Sequence, residues 1–74
     1  MYSKETMVER VNNLFTYHPP TSEQVSRYTI IRQKYHELSL LLIEECPVSP
    51  ELSTTITLLH QSSMMANASI AVNE

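Results

Sequence analysis

The chain has 74 residues, a net charge of −3, no glycine, no tryptophan and one cysteine. A chain this short buries only about 60% of its unfolded surface, and Cys46 alone closes no intrachain disulfide, so self-association is the expected support. The absence of glycine disfavours primed hairpin turns and excludes a Gly-rich phosphate loop and a dinucleotide fingerprint, and the acidic balance speaks against general DNA or RNA binding.

Two proline-bearing breaks, Tyr17-His18-Pro19-Pro20 and Cys46-Pro47-Val48-Ser49-Pro50, divide the chain into three predicted helices, because each proline disfavours helix at the residue before it. The first runs roughly from Ser3 to Leu14, with Met7, Val11 and Leu14 at helical spacing and Ser3 or Thr6 as its cap. Isolated helices of that length are marginal in water, so it depends on packing against the others. The second runs roughly from Ser22 to Glu45. Thr21 or Ser22 is its N-cap, Thr21 with Gln24 fits a capping box, and Glu23 complements the helix dipole. Tyr28, Ile31, Tyr35, Leu38 and Leu42 form a heptad seam along it. The third runs roughly from Pro50 to Ala71, capped by Ser49, with Pro50 at the first helical position. Its seam is Leu52, Ile56, Leu59, Ser63, Ala66 and Ile70.

The short second break folds the two long helices into an antiparallel hairpin. The expected fold is therefore all-α: a short N-terminal helix plus a long antiparallel helical hairpin, one helical domain across residues 1–74. Ile30, Leu40, Leu41, Ile43, Leu58, Met64, Met65 and Val72 lie off the seams. That much apolar surface marks an interface. No apolar run is long enough to cross a membrane, and the charges within Met1–Arg10 do not fit a signal peptide, so a cytoplasmic protein with a reduced thiol is expected.

The residues offer little for catalysis. Glu44 and Glu45 are adjacent, so on a helix they diverge and read as solvated surface. Cys46 sits at a helix C-terminus, which does not favour a thiolate, and reads as a buried structural cysteine. His36 and His60 have no paired ligands in sequence and read as surface or interface residues, so neither a metal site nor a cofactor is expected. Metal-dependent hydrolysis of a phosphodiester favours a His and Asp cluster, and the chain has no Asp.

The connector Phe15-Thr16-Tyr17-His18-Pro19-Pro20 is more informative. It is either a hydrophobic staple, with Phe15 and Tyr17 covering the hairpin, or a stacking platform that offers Tyr17 to a nucleobase. Arg27, Arg32 and Lys34 follow in the first half of the second helix. They are either a solvated charged face or a source of a guanidinium for a phosphate.

Phe15-Thr16-Tyr17-His18-Pro19-Pro20, then Arg27-Tyr28, Arg32 and Lys34, then Glu45-Cys46-Pro47, and finally Ala66-Asn67-Ala68-Ser69-Ile70-Ala71 together resemble a phage family. It is the family of cyclic-oligonucleotide sponges known as anti-CBASS protein 2, and the likeness spans about Val8 to Glu74. The resemblance implies a helical protomer assembled into a hexamer of two interlocked trimers. It implies capture of intact cyclic dinucleotides, such as 3′,3′-cGAMP, in pockets between protomers, which starves CBASS immunity in the host cytoplasm of its messenger. Some members also hold cyclic trinucleotides at a separate site. Carried over by position, Tyr17 stacks on a base, His18 and Pro19 shape the pocket wall, and Arg32 grips phosphate, with Arg27 as the alternative and Lys34 nearby. Relatives often carry Arg where this chain has Val72 and Trp where it has Met65. Valine makes no electrostatic contact with phosphate, so cyclic dinucleotides are the expected main ligands.

Two other classes compete. A helical protein–protein adaptor uses the same heptad seams but has no need of the aromatic connector and its arginines. A cyclic-nucleotide phosphodiesterase lacks its metal ligands here. The expectation is a binding protein and not an enzyme, with no DNA, RNA or membrane partner.

Overall fold

The computed structural model describes residues 3–74. Among them are three α-helices and no strand: α1 (Lys4–Leu14), α2 (Ser22–Glu45) and α3 (Pro50–Asn73). Each start is set by a side chain that accepts one of the backbone N–H groups a helix N-terminus leaves unpaired. Ser3 accepts from the Thr6 amide, so Ser3 is the cap of α1 and not its first residue. Thr21 and Gln24 form the full capping box at α2. Ser49 accepts from the Leu52 amide at 3.1 Å, with Pro50 opening α3. The third helix runs two residues past the predicted Ala71, because no proline or glycine interrupts the pattern before its end.

Helices α2 and α3 form the antiparallel hairpin. Arg27, near the start of α2, meets Glu74, just past the end of α3. At mid-length the Tyr35 hydroxyl and the Ser62 hydroxyl are 2.6 Å apart. All six predicted seam positions of α3 turn inward, and two of them, Leu52 and Ile70, are the buried residues at its two ends.

The seam of α2 departs from the heptad expectation. Its inward residues are Gln24, Tyr28, Ile31, Tyr35, Ser39, Leu42 and, just beyond the helix, Cys46, with Arg27 half-buried beside Tyr28. Leu38 is 41% exposed and Ser39 takes its place. The reason is geometric. A straight helix drifts by about 20° per heptad, and a stripe repeating every eleven residues follows it better than one repeating every seven. Val72, expected off the seam, is half-buried, because the extended α3 carries it to where α1 docks. Cys46 is half-buried and its thiol is free.

Helix α1 buries none of its residues. Met7, Val8, Val11 and Leu14 are all exposed. An open groove of about 650 Å³ runs between α1 and the last third of α3, lined by Arg10, Asn13, Met65 and Ser69 among others. The chain exposes 6229 Å², whereas a compact monomer of this mass exposes about 4,700 Å². Its radius of gyration is 16.1 Å, against about 11 Å for a compact chain of the same length. Among the described residues no helix is long and apolar enough to cross a membrane.

Candidate functional site

The connector between α1 and α2 does not cover the hairpin. Phe15 and Tyr17 are 85% and 81% exposed, which removes the staple reading within one protomer. The turn is instead held by polar contacts. Thr16 donates through its hydroxyl to the Asn12 carbonyl, and His18 Nε2 donates to the Asn13 carbonyl at 2.7 Å. His18 is the half-buried residue of the segment, while Pro19 and Pro20 are exposed. The result is an aromatic ring projecting from a hydrogen-bonded loop into solvent.

The three cations of α2 have different environments. Arg27 makes a two-pronged contact with Glu74, at 2.8 Å and 2.6 Å, and lies 3.6 Å from Glu23. Its hydrogen bond to Glu74 raises the guanidinium pKa above its ordinary value, and the same contact holds the Glu74 carboxyl below the usual glutamate value. Lys34 is exposed and pairs with Glu37 at 3.4 Å. Arg32 has no ion pair or side-chain hydrogen bond among the described residues. It lines a cleft of about 360 Å³ between α2 and α3.

That cleft gathers residues the linear pattern kept apart. His36, one turn after Arg32 on α2, faces the same space as His60, Ser63 and Asn67 from α3. The side-chain oxygen of Asn67 is buried and has no hydrogen-bond partner. An orphaned acceptor of this kind costs about 1–3 kcal/mol. Read singly, His36 and His60 were surface or interface residues. Only the antiparallel register places them opposite each other; the helical spacing of Ile56, Leu59, Ser63 and Asn67 signals one common face of α3 but not which α2 residues it meets. Tyr17 lies on the α1–α2 connector, whereas Arg32 lies ten residues into α2, about 15 Å along the helix axis from Ser22. Tyr17 lines neither this cleft nor the α1–α3 groove.

A helical hairpin with an open cationic cleft, an exposed aromatic loop and an unburied N-terminal helix defines a small all-α binding protein. The family model for the Acb2/Tad1 hairpin domain matches residues 7–71. The chain therefore belongs to the Acb2/Tad1 family, a family of phage anti-defence proteins that bind or sequester and are not known as enzymes. Neither the curated proteins nor the solved structures compared with the chain gave a match.

Proposed function

We infer that the protein, as one helical domain over residues 1–74, assembles with copies of itself and sequesters intact cyclic dinucleotides in the host cytoplasm, which blocks CBASS immunity. The observation that carries the reading is that Tyr17 and Arg32 are two ligand-competent groups the protomer does not use. The ring of Tyr17 is open to solvent and the guanidinium of Arg32 lacks a carboxylate among the described residues. Tyr17 lines neither the α1–α3 groove nor the Arg32 cleft, and a pocket that joins the two groups across a protomer contact fits that separation. The surface excess supports assembly. It amounts to about 1,500 Å² over a compact monomer, close to what two standard contacts remove from one partner. A hexamer provides each protomer with such neighbours.

In the bound state Tyr17 stacks on a base of the ligand, with His18 and Pro19 as the wall beside it. Arg32 of a neighbouring protomer presents its planar fork to a phosphate. His36, His60 and Asn67 line the same cleft as Arg32 and form its wall beside the phosphate. Lys34 contributes to the local positive field. Arg27 is engaged by Glu74, which favours Arg32 over it as the phosphate contact. No bond in the ligand breaks, and no metal or cofactor takes part.

Two measurements test this. The protein is incubated with 3′,3′-cGAMP and denatured, and the released nucleotide is separated by chromatography; intact cyclic product is expected, and a linear product overturns the reading. Tyr17→Ala is expected to weaken binding by about 1–3 kcal/mol while native mass spectrometry finds the same assembly. A flat calorimetric response of the parent protein to a panel of cyclic nucleotides favours an adaptor, a reading the exposed apolar face of α1 also accommodates.

A further inference from the structure

Outside the cleft, the hydrogen bonds between elements close into one circuit around the connector. His18 donates to the Asn13 carbonyl at 2.7 Å, and the Asn13 side chain donates to the Val72 carbonyl at 3.1 Å. Two residues on, Glu74 accepts both prongs of Arg27 and, at 3.4 Å, the Gln24 side-chain amide. Gln24 in turn accepts from the Thr21 amide at 3.0 Å, immediately after Pro20. The path starts and ends on the two sides of the segment that carries Tyr17. It passes through α1, the C-terminal turn of α3 and the first turns of α2.

The apolar contacts do not explain this arrangement. Helix α1 buries nothing, and Phe15 and Tyr17 lie outside any core. A loop of exposed aromatics has nothing apolar to hold it, so its order must come from its polar tethers and its two prolines. The first tether, through His18, fixes the exit from α1. The second, through Thr21 and Gln24, fixes the entry into α2. Glu74 and Asn13 tie both to the same turn of α3. The spacing of the two ends is thereby set by α3, an element with no residue in the connector.

We propose that Asn13, Gln24, Arg27 and Glu74 are positioning residues that pre-order the Tyr17 connector, and that the circuit holds the ring in its ligand-receiving orientation before any ligand arrives. The proposal rests on the stacking role of Tyr17 and gives Arg27 a different task from phosphate binding. Ordering the loop in advance removes that ordering cost from the binding step, and a guanidinium fork matched to a carboxylate is the geometry that does so with least freedom.

The test reads the connector directly, without ligand, and then the affinity. In Glu74→Gln, amide hydrogen exchange at Thr16 and Thr21, the two connector amides with acceptors, is expected to speed up by about tenfold or more, while the middle of α2 and α3 is unchanged. The affinity for 3′,3′-cGAMP falls by about tenfold. In a Tyr17→Ala background the Glu74→Gln change costs no further affinity, because the loop no longer presents the ring. The exchanged pair Arg27→Glu with Glu74→Arg restores both exchange protection and affinity towards the parent values. Asn13→Ala, at the opposite end of the circuit, reproduces the Glu74→Gln pattern if that variant assembles poorly. Unchanged connector exchange in both Glu74→Gln and Asn13→Ala overturns the proposal. Faster connector exchange in both variants of a parent protein that itself binds no cyclic dinucleotide upholds the positioning and overturns only the ligand reading.

Discussion

Helix α1 and the α2–α3 hairpin have similar local credentials and opposite fates. Both begin at a serine or threonine cap that accepts a backbone amide, and both carry an apolar stripe at helical spacing. The hairpin stripe finds a partner within the chain, and Leu52 and Ile70 are buried there. The α1 stripe finds none: Met7, Val8, Val11 and Leu14 stay exposed, and the Asn13 side chain joins the helix to the Val72 carbonyl of α3. Amphipathic periodicity marks a face that needs covering; it does not say whether the cover comes from the same chain.

The largest separation of the two regions comes from the hairpin core. Leu52→Ala is expected to cost about 2–5 kcal/mol in urea unfolding at fixed protein concentration. If it costs under 1 kcal/mol, Leu52 is not the anchor its burial indicates. Next in size is the α1 stripe, tested by Val11→Glu. A carboxylate there is harmless to an isolated protomer but costs about 1–3 kcal/mol where copies cover the face. The assembly midpoint in sedimentation is expected to rise while helical circular dichroism per residue is retained; an unchanged midpoint leaves α1 outside the interface. A smaller effect, of opposite sign, concerns the cleft. Asn67→Leu removes the buried acceptor without a partner, so a gain of about 1 kcal/mol in stability is expected together with weaker 3′,3′-cGAMP binding. A gain in stability with full affinity makes the residue a packing defect and nothing more.

The smallest effect lies where the two regions meet. The Glu74 carboxyl is depressed chiefly by its hydrogen bond from Arg27, so its folded pKa lies below its unfolded one. The contribution of the contact is therefore complete above the ordinary glutamate range and is lost as pH falls through the depressed value. Arg27, raised by the same contact, stays charged throughout. Acid titration followed by amide exchange is expected to loosen the Thr16–Thr21 connector before the hairpin unfolds. Simultaneous loss of both places the carboxylate outside that step.

The sequence by itself determined the three helices and narrowed each start to one or two cap candidates, because caps, prolines and the missing glycines act within a few residues of where they stand. It determined the α3 seam for the same reason, and the aromatic connector and its arginines were visible as an unusual cluster. The α2 seam position between Tyr35 and Leu42 was not legible, since Leu38 and Ser39 differ by one position and only packing against α3 decides between them. The tertiary structure alone decided that Arg27 is engaged by Glu74, 47 residues away, while Arg32, five positions further along the same helix, faces an open cleft with His36, His60 and Asn67. Local signals fix backbone conformation because their partners are adjacent in the chain. The pairing of charges depends on the register of the folded hairpin, which no spacing within one helix encodes.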